Sequence, residues 1–404
     1  MREEQQELKK PFGLLGNWFL VLLALLLCGG SYLMMYQEVR LGGVAAQEGS
    51  FLLRFGALSI LYGFALLVIF WVTADKRLAG LAGFAGFALL IASYLAFVPG
   101  LTYPKETHIW INAGGLGIPA QELAILGYIL VAAFLVERLS VKGSRAVLLW
   151  ATGIFAMGAL WFGKGSMMVV FLSILAFTGV WADKRRFSLI LLLLLGAAAL
   201  ATLLYALRMY DTFVMQGRDL KYFNAELLRI AGWILPSAKS KTPYGVVTAS
   251  LWAGAGLHGR GMEQLRDLLP EIRFTDADFS LMYVTSYRGK VALAVVLVVY
   301  CLLLWQIYIR ADKALMEGDR LRGTLAFGVF IRFALGALFH IGYCFQVLPS
   351  FHSFMPFVTY VGQYQLLSLL ELGLVLRVNT KPSRAYMLAE QQAEQQAEQL
   401  AELQ

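Results

Sequence analysis

Carboxylates and cations meet in one polar stretch of this chain, residues 211–288. It holds Arg229 and Pro236, a small-residue tract at 253–261 that includes Arg260, and then Glu271, Asp276 and Asp278. An ordinary aspartate, with a pKa of about 3.9, is a weak base at neutral pH. Partial burial against an apolar wall makes such a carboxylate a better proton acceptor, and so a candidate general base. The competing reading is a solvated acidic loop whose Asp caps the next helix. His258 stands alone, with no second ligand at zinc spacing, and reads as a structural or interfacial histidine. The apolar run 244–257 is too short to span comfortably and is expected to re-enter the membrane face.

A second constellation runs from Trp110 to Glu122. Gly114, Gly115, Gly117 and Pro119 mark a turn that ends at a helix start. Glu122 then falls in a first helical turn, where the dipole favours an anion. Either the turn presents Trp110 to a lipid or sugar while Glu122 holds a cation partner, or Trp110 is an interfacial anchor and Glu122 sits among headgroups. Two charges lie inside apolar runs, Arg332 and Glu371. A mid-bilayer charge costs about 2.5–3.5 kcal/mol on insertion scales, so such residues pair or face a wet cavity. They form a structural pair if the last two helices pack together, or else they line a substrate path.

These residues need a scaffold, and composition names it. The chain is 59% apolar and only 15% charged, which excludes an ordinary soluble domain. About ten runs are long enough to span a bilayer: 17–36, 51–73, 79–98, 119–139, 145–162, 167–182, 187–209, 289–310, 324–348 and 356–378. Backbone in lipid must satisfy its own hydrogen bonds, and continuous apolar runs do not fit barrel strands. The expectation is an all-α polytopic membrane protein. Lys and Arg cluster before the first run and after the even-numbered ones, while the alternate short connections hold little beyond Arg40, Lys105 and Lys164. The positive-inside rule then puts both termini in the cytoplasm and the 211–288 loop, between helices 7 and 8, outside. The net charge of +8 is thus mostly topology, with no single basic patch for nucleic acid. The first run is long enough to span, so no cleavable leader is expected. Cys28, Cys301 and Cys344 all fall in apolar runs and suggest neither disulfides nor a metal cluster. The expected organisation is a cytoplasmic segment at 1–16, a transmembrane domain at 17–378, and a Glu/Gln/Ala-rich helical tail at 379–404, read as solvated.

The ordered motifs resemble those of the SEDS family (shape, elongation, division and sporulation). Trp110-Ile111-Asn112-x-Gly114-Gly115 with Glu122-Leu123-Ala124 is similar to its tryptophan-to-glutamate motif. Arg229 with Pro236, and Gly256-Leu257-x-Gly259-Arg260-Gly261, resemble its loop motifs. Leu269-Pro270-Glu271 with Asp278-Phe279 looks like the segment bearing the family's essential aspartate. Pro349 and Pro356-Phe357-Val358-Thr359-Tyr360 resemble the closing motif. There are departures. Ile125 stands in place of a lysine, Gly163-Lys164-Gly165-Ser166 in place of an acidic motif, Ser286-Tyr287 in place of two glutamates, and His340 in place of an asparagine. Val361, Gln363 and Tyr364 interrupt a Gly-Gly-Ser-Ser run.

The resemblance implies an integral membrane glycosyltransferase that polymerises lipid II, a disaccharide-peptide on undecaprenyl diphosphate, at the outer face of the bacterial cytoplasmic membrane. Asp278 would take the acceptor proton. Arg208, Arg229 and Arg260 would meet charge growing on the diphosphate, and Trp110 and Glu122 would shape the substrate cavity. The cofactor stays open, a divalent cation such as Mg2+ or Mn2+ being the candidate. A single-span class B penicillin-binding protein is the partner implied by analogy. The departures keep two other readings in view: a non-catalytic scaffold or lipid-linked sugar flippase, and a polymerase of another lipid-linked polysaccharide.

Overall fold

A computed structural model describes residues 16–40, 46–73, 78–103, 110–113, 116–160, 164–217, 225–235, 255–259, 280–345, 347–348, 354–359 and 361–376. Each apolar run falls on a helix. In chain order these are α1 (Asn17–Arg40), α2 (Ala46–Thr73), α3 (Leu78–Ser93, continued by a 3-10 turn Tyr94–Phe97), α4 (Ala120–Arg138), α5 (Lys142–Ala159), α6 (Lys164–Trp181) and α7 (Arg185–Met215). A short loop helix α8 (Ala225–Ile234) follows, then α9 (Ser280–Met316), α10 (Arg320–Cys344) and α11 (Gly362–Leu376). Among the described residues, five helices (α1, α4, α7, α9 and α10) are long and apolar enough to cross a membrane by length and composition. Shorter apolar stretches lie at Leu53–Val68, Leu81–Phe97 and Ser166–Trp181.

The bundle is built around α4, whose apolar window is 83% buried, whereas that of α7 is 6% buried and lies at the periphery. α4 packs on α3, α5 and α10, and α2 packs on α11. The α3–α4 crossing is close because it is made at two glycines. A Cβ on Gly86 would sit 2.9 Å from the Gly127 carbonyl oxygen, and one on Gly127 would sit 2.8 Å from that of Gly86. Such small residues let helix backbones approach in lipid.

Four expectations need correction. A three-stranded antiparallel sheet interrupts the helices: β1 (Thr102–Tyr103), β2 (Trp110–Ala113) and β3 (Leu116–Pro119). The glycine turn is therefore a hairpin, with Trp110 paired to Pro119, and Pro119 is the N-cap of α4. The 211–288 loop is shorter than composition suggested. α7 runs on to Met215, its end held by α8 through Tyr210, Phe213, Leu227 and Ala231. At the far end, α9 begins at Ser280, and residues 280–286 are all buried, so packing rather than hydropathy extends the helix. Finally, residues 354–359 form a turn, with a Met355–Val358 bridge, and the last helix starts only at Gly362.

α9 breaks at Gly289, which has φ 88° and ψ 177°. A helix break leaves amide donors without partners. Here the loop's glycine tract supplies the acceptors: Lys290 N–H donates to the Gly256 oxygen (3.1 Å) and Val291 N–H to that of Leu257 (3.2 Å). Gly259, at φ 80°, lies against the Tyr287 carbonyl with no room for a side chain. Of the run 244–257 expected to re-enter the membrane, residues 255–257 thus lie along the break in α9. Residues 244–254 lie outside the described set, as do the segment 1–15 and the tail from 377.

Candidate functional site

The two intramembrane charges do meet, and Glu122 joins them. Arg332 on α10 donates from Nη2 to Glu122 Oε2 at the start of α4. Its Nε lies 3.1 Å from Glu371 Oε1 on α11, at an angle that makes an ion pair but no hydrogen bond. All three side chains are almost fully buried. Glu122 is therefore not a headgroup-facing residue; its partner is a cation from another helix. Removing one member of a buried ion pair costs about 3–5 kcal/mol, because the other charge is left unpaired. With two carboxylates against it, the Arg332 charge is committed and is not free to meet a diphosphate.

Aromatic rings continue outward from this triad. The Arg332 guanidinium carbon lies 5.1 Å from the Phe354 ring centroid. Phe354 stacks on Tyr364 at 3.8 Å, and Tyr364 meets Trp110 at 5.3 Å. Trp110 is half-buried between Tyr364 and Gly117 of its own hairpin, so it packs inside the protein rather than serving as a free interfacial anchor. Beside Glu122, Gln121 Oε1 accepts from the Ser166 hydroxyl at 2.8 Å. Ser166 belongs to the Gly-Lys-Gly-Ser departure, which thus has a structural task at the site's edge.

The turn 354–359 is non-helical backbone inside an apolar bundle, tolerated in a membrane only where protein satisfies it. Three helices do so. Ser31 of α1 donates to the Phe357 carbonyl (3.1 Å), Ser280 of α9 to that of Val358 (2.7 Å), and Gln365 of α11 to that of Thr359 (2.8 Å). Buried His340 lies 3.5 Å from the Ser280 hydroxyl. Phe357 adopts φ 65°, a strained conformation for a bulky residue that costs about 1–3 kcal/mol and clusters at functional sites. Ser280→Ala leaves the buried Val358 carbonyl without its donor, a loss of about 1–3 kcal/mol. The expected result is a lower thermal midpoint in detergent with the protein still monodisperse; an unchanged midpoint would contradict this account of the turn.

The other expected site residues are placed as follows. Arg208 is exposed on α7, away from the triad and among the residues that lead to α8. Arg229 lies on α8, with its side chain outside the described set. Arg260, Asp276 and Asp278 also lie outside it, between Gly259 and Ser280. His258 is exposed beside the α9 break. Among the described residues no group of three or more His, Cys, Asp or Glu side chains could hold a metal ion. The buried carboxylates of the triad face a guanidinium, so the described part of the site does not fit a divalent cation.

No protein-family model matches the chain. Proteins called probable peptidoglycan glycosyltransferase FtsW are similar to it. That of Halothiobacillus neapolitanus is 23% identical over 314 residues, 75% of this chain and 72% of that protein. That of Pseudoalteromonas translucida is 24% identical over 335 residues, 78% of each. A local match to that of Idiomarina loihiensis reaches 32% over 128 residues, 32% of this chain and 30% of the relative. Among solved structures, a chain of a peptidoglycan synthase complex superposes with a TM-score of 0.66 at 22% identity, over 91% of this chain and 98% of that one. The rod shape determining protein RodA of Thermus thermophilus does so with 0.59 at 19% identity, over 91% and 97%. The fold and its buried polar centre define a polytopic helical membrane protein. These likenesses are the ones that the resemblance to the SEDS family implies, and they make the chain similar to proteins of that family.

Proposed function

We propose that this chain is a peptidoglycan glycosyltransferase that polymerises lipid II at the outer face of the bacterial cytoplasmic membrane. One observation carries the reading beyond the names of its relatives. The hairpin with Trp110 and Glu122, the turn 354–359 and the start of α9 converge through Arg332, Phe354 and Ser280, so segments distant in sequence build one site. Asp278 stands two residues before Ser280 in sequence, and two residues of chain reach at most about 7 Å between Cα atoms. In the proposed reaction its carboxylate takes the proton of the acceptor hydroxyl. That oxygen attacks the donor anomeric carbon, and the undecaprenyl diphosphate leaves with inversion. Arg229, Arg260 and Arg208 are the cations proposed to receive the growing charge, since Arg332 is neutralised by its own carboxylates. Trp110 and Glu122 shape the substrate cavity. The SEDS-like transmembrane domain spans 17–378, with both termini cytoplasmic. A single-span class B penicillin-binding protein is the proposed partner, cross-linking the chains made here.

A substrate panel tests the reading. The purified protein, alone and with a class B penicillin-binding protein, is given lipid II or another undecaprenyl-diphosphate-linked oligosaccharide. Polymer from lipid II, increased by the partner, is expected. Polymer only from the other donor contradicts the assignment and points to a different polysaccharide.

A further inference from the structure

The geometry points to Arg332 as a positioning residue for substrate binding, one that fixes the Glu122 carboxylate directly and the Trp110 hairpin through Phe354 and Tyr364. The inference rests on the glycosyltransferase reading and deepens it. The contacts close a ring. Trp110 pairs across the hairpin with Pro119, which caps α4 three residues before Glu122. Glu122 binds Arg332, Arg332 lies against Phe354, Phe354 stacks on Tyr364, and Tyr364 returns to Trp110. Residues from α4, α10, α11, the hairpin and the 354–359 turn are thereby held in one arrangement.

The chemistry of arginine explains why this residue sits at the hub. Its guanidinium is a planar fork with donors on separate edges. Glu122 accepts from Nη2 and Glu371 lies beside the neighbouring Nε, so two carboxylates bear on one planar group and restrict both its position and its plane. A buried ion cluster is a poor source of stability, since apolar residues of similar volume often do as well. Two carboxylates on one guanidinium, drawn from two different helices, instead specify where Glu122 points. Tyr364 does the same for Trp110, whose other face is closed by Gly117. Lysine at position 332 keeps the charge but loses the fork, and serine at 364 removes the stack while phenylalanine keeps it.

The test compares Arg332→Lys, Glu371→Gln, Tyr364→Ser and Tyr364→Phe in full-length protein. Initial rates of glycan formation are measured over a range of lipid II concentrations. Lipid II binding is measured in parallel on the same variants carrying Asp278→Asn. Arg332→Lys and Tyr364→Ser should raise KM about tenfold with kcat within about threefold, and binding should weaken by a matching factor. Glu371→Gln, which removes one of the two charges holding the guanidinium, should raise KM about threefold, and Tyr364→Phe should stay within about twofold. Unchanged KM and binding in folded Tyr364→Ser and Glu371→Gln overturn the inference, even if Arg332→Lys fails to fold. Equal losses in Tyr364→Phe and Tyr364→Ser overturn it too, since the stack would then not be the cause. A native protein that binds lipid II without polymerising it defeats the enzymatic reading, while the binding ratios still decide the role of Arg332.

Discussion

Asp278→Asn should abolish glycan synthesis from lipid II while the protein stays in the membrane at its normal level. The neutral amide keeps the size of the carboxylate and removes the base. A positioned general base contributes about 10²–10⁴-fold, so turnover should fall by at least that order. Substrate should still bind, because Trp110, Glu122 and the proposed cations are untouched. The neighbouring Asp276→Asn separates the two carboxylates, since only the base should show so large a loss. Full activity in Asp278→Asn with loss in Asp276→Asn would move the base by two residues. Full activity in both would remove the loop carboxylates from the chemistry.

The second large effect is structural and contrasts two glycines three residues apart. Gly259 has φ 80°, and a Cβ there would fall on the Tyr287 carbonyl at the α9 break. Gly256 has no atom within 4 Å of where a Cβ would lie. Gly259→Ala therefore combines left-handed strain with a backbone clash, roughly 2–4 kcal/mol or more. Gly256→Ala should be near neutral. Folded yield from the membrane and thermal midpoint in detergent should drop sharply for the first and hardly change for the second. Equal behaviour would mean that the glycine tract does not dock on the α9 break. The docking also bears on function, because the tract leads into Arg260 and α9 begins two residues after Asp278.

The bundle was legible in the sequence because lipid imposes a single demand, about 20 apolar residues per helical span. Each apolar run has its helix. The errors fall where tertiary contacts replace that demand. Residues 356–359 are apolar and read as the start of a span. They turn instead, because hydroxyl and amide groups of Ser31, Ser280 and Gln365 satisfy the carbonyls of Phe357, Val358 and Thr359. No local pattern announces donors that arrive from three helices. The start of α9 was hidden for the converse reason: residues 280–288 are too polar to look membranous, yet most are buried by the turn and by α10.

The site was partly legible. Arg332 and Glu371 stood out as charges that needed partners, and Glu122 as an anion that could use one. The link between Glu122 and Arg332 spans 210 positions, and periodicity carries no information over that distance. Tyr364 appeared only as an interruption of a small-residue run. Its meaning emerged when Phe354 and Trp110 were found on either side of it. Ser166, legible only as part of a departure, proves to be hydrogen-bonded to Gln121 beside Glu122.

The most direct measurement puts purified protein into vesicles containing labelled lipid II and follows both polymer formation and movement of label between leaflets. Glycan chains made by this protein, without any other polymerase present, are the predicted result. Label that crosses the bilayer while no polymer forms, with or without the penicillin-binding protein, would contradict it.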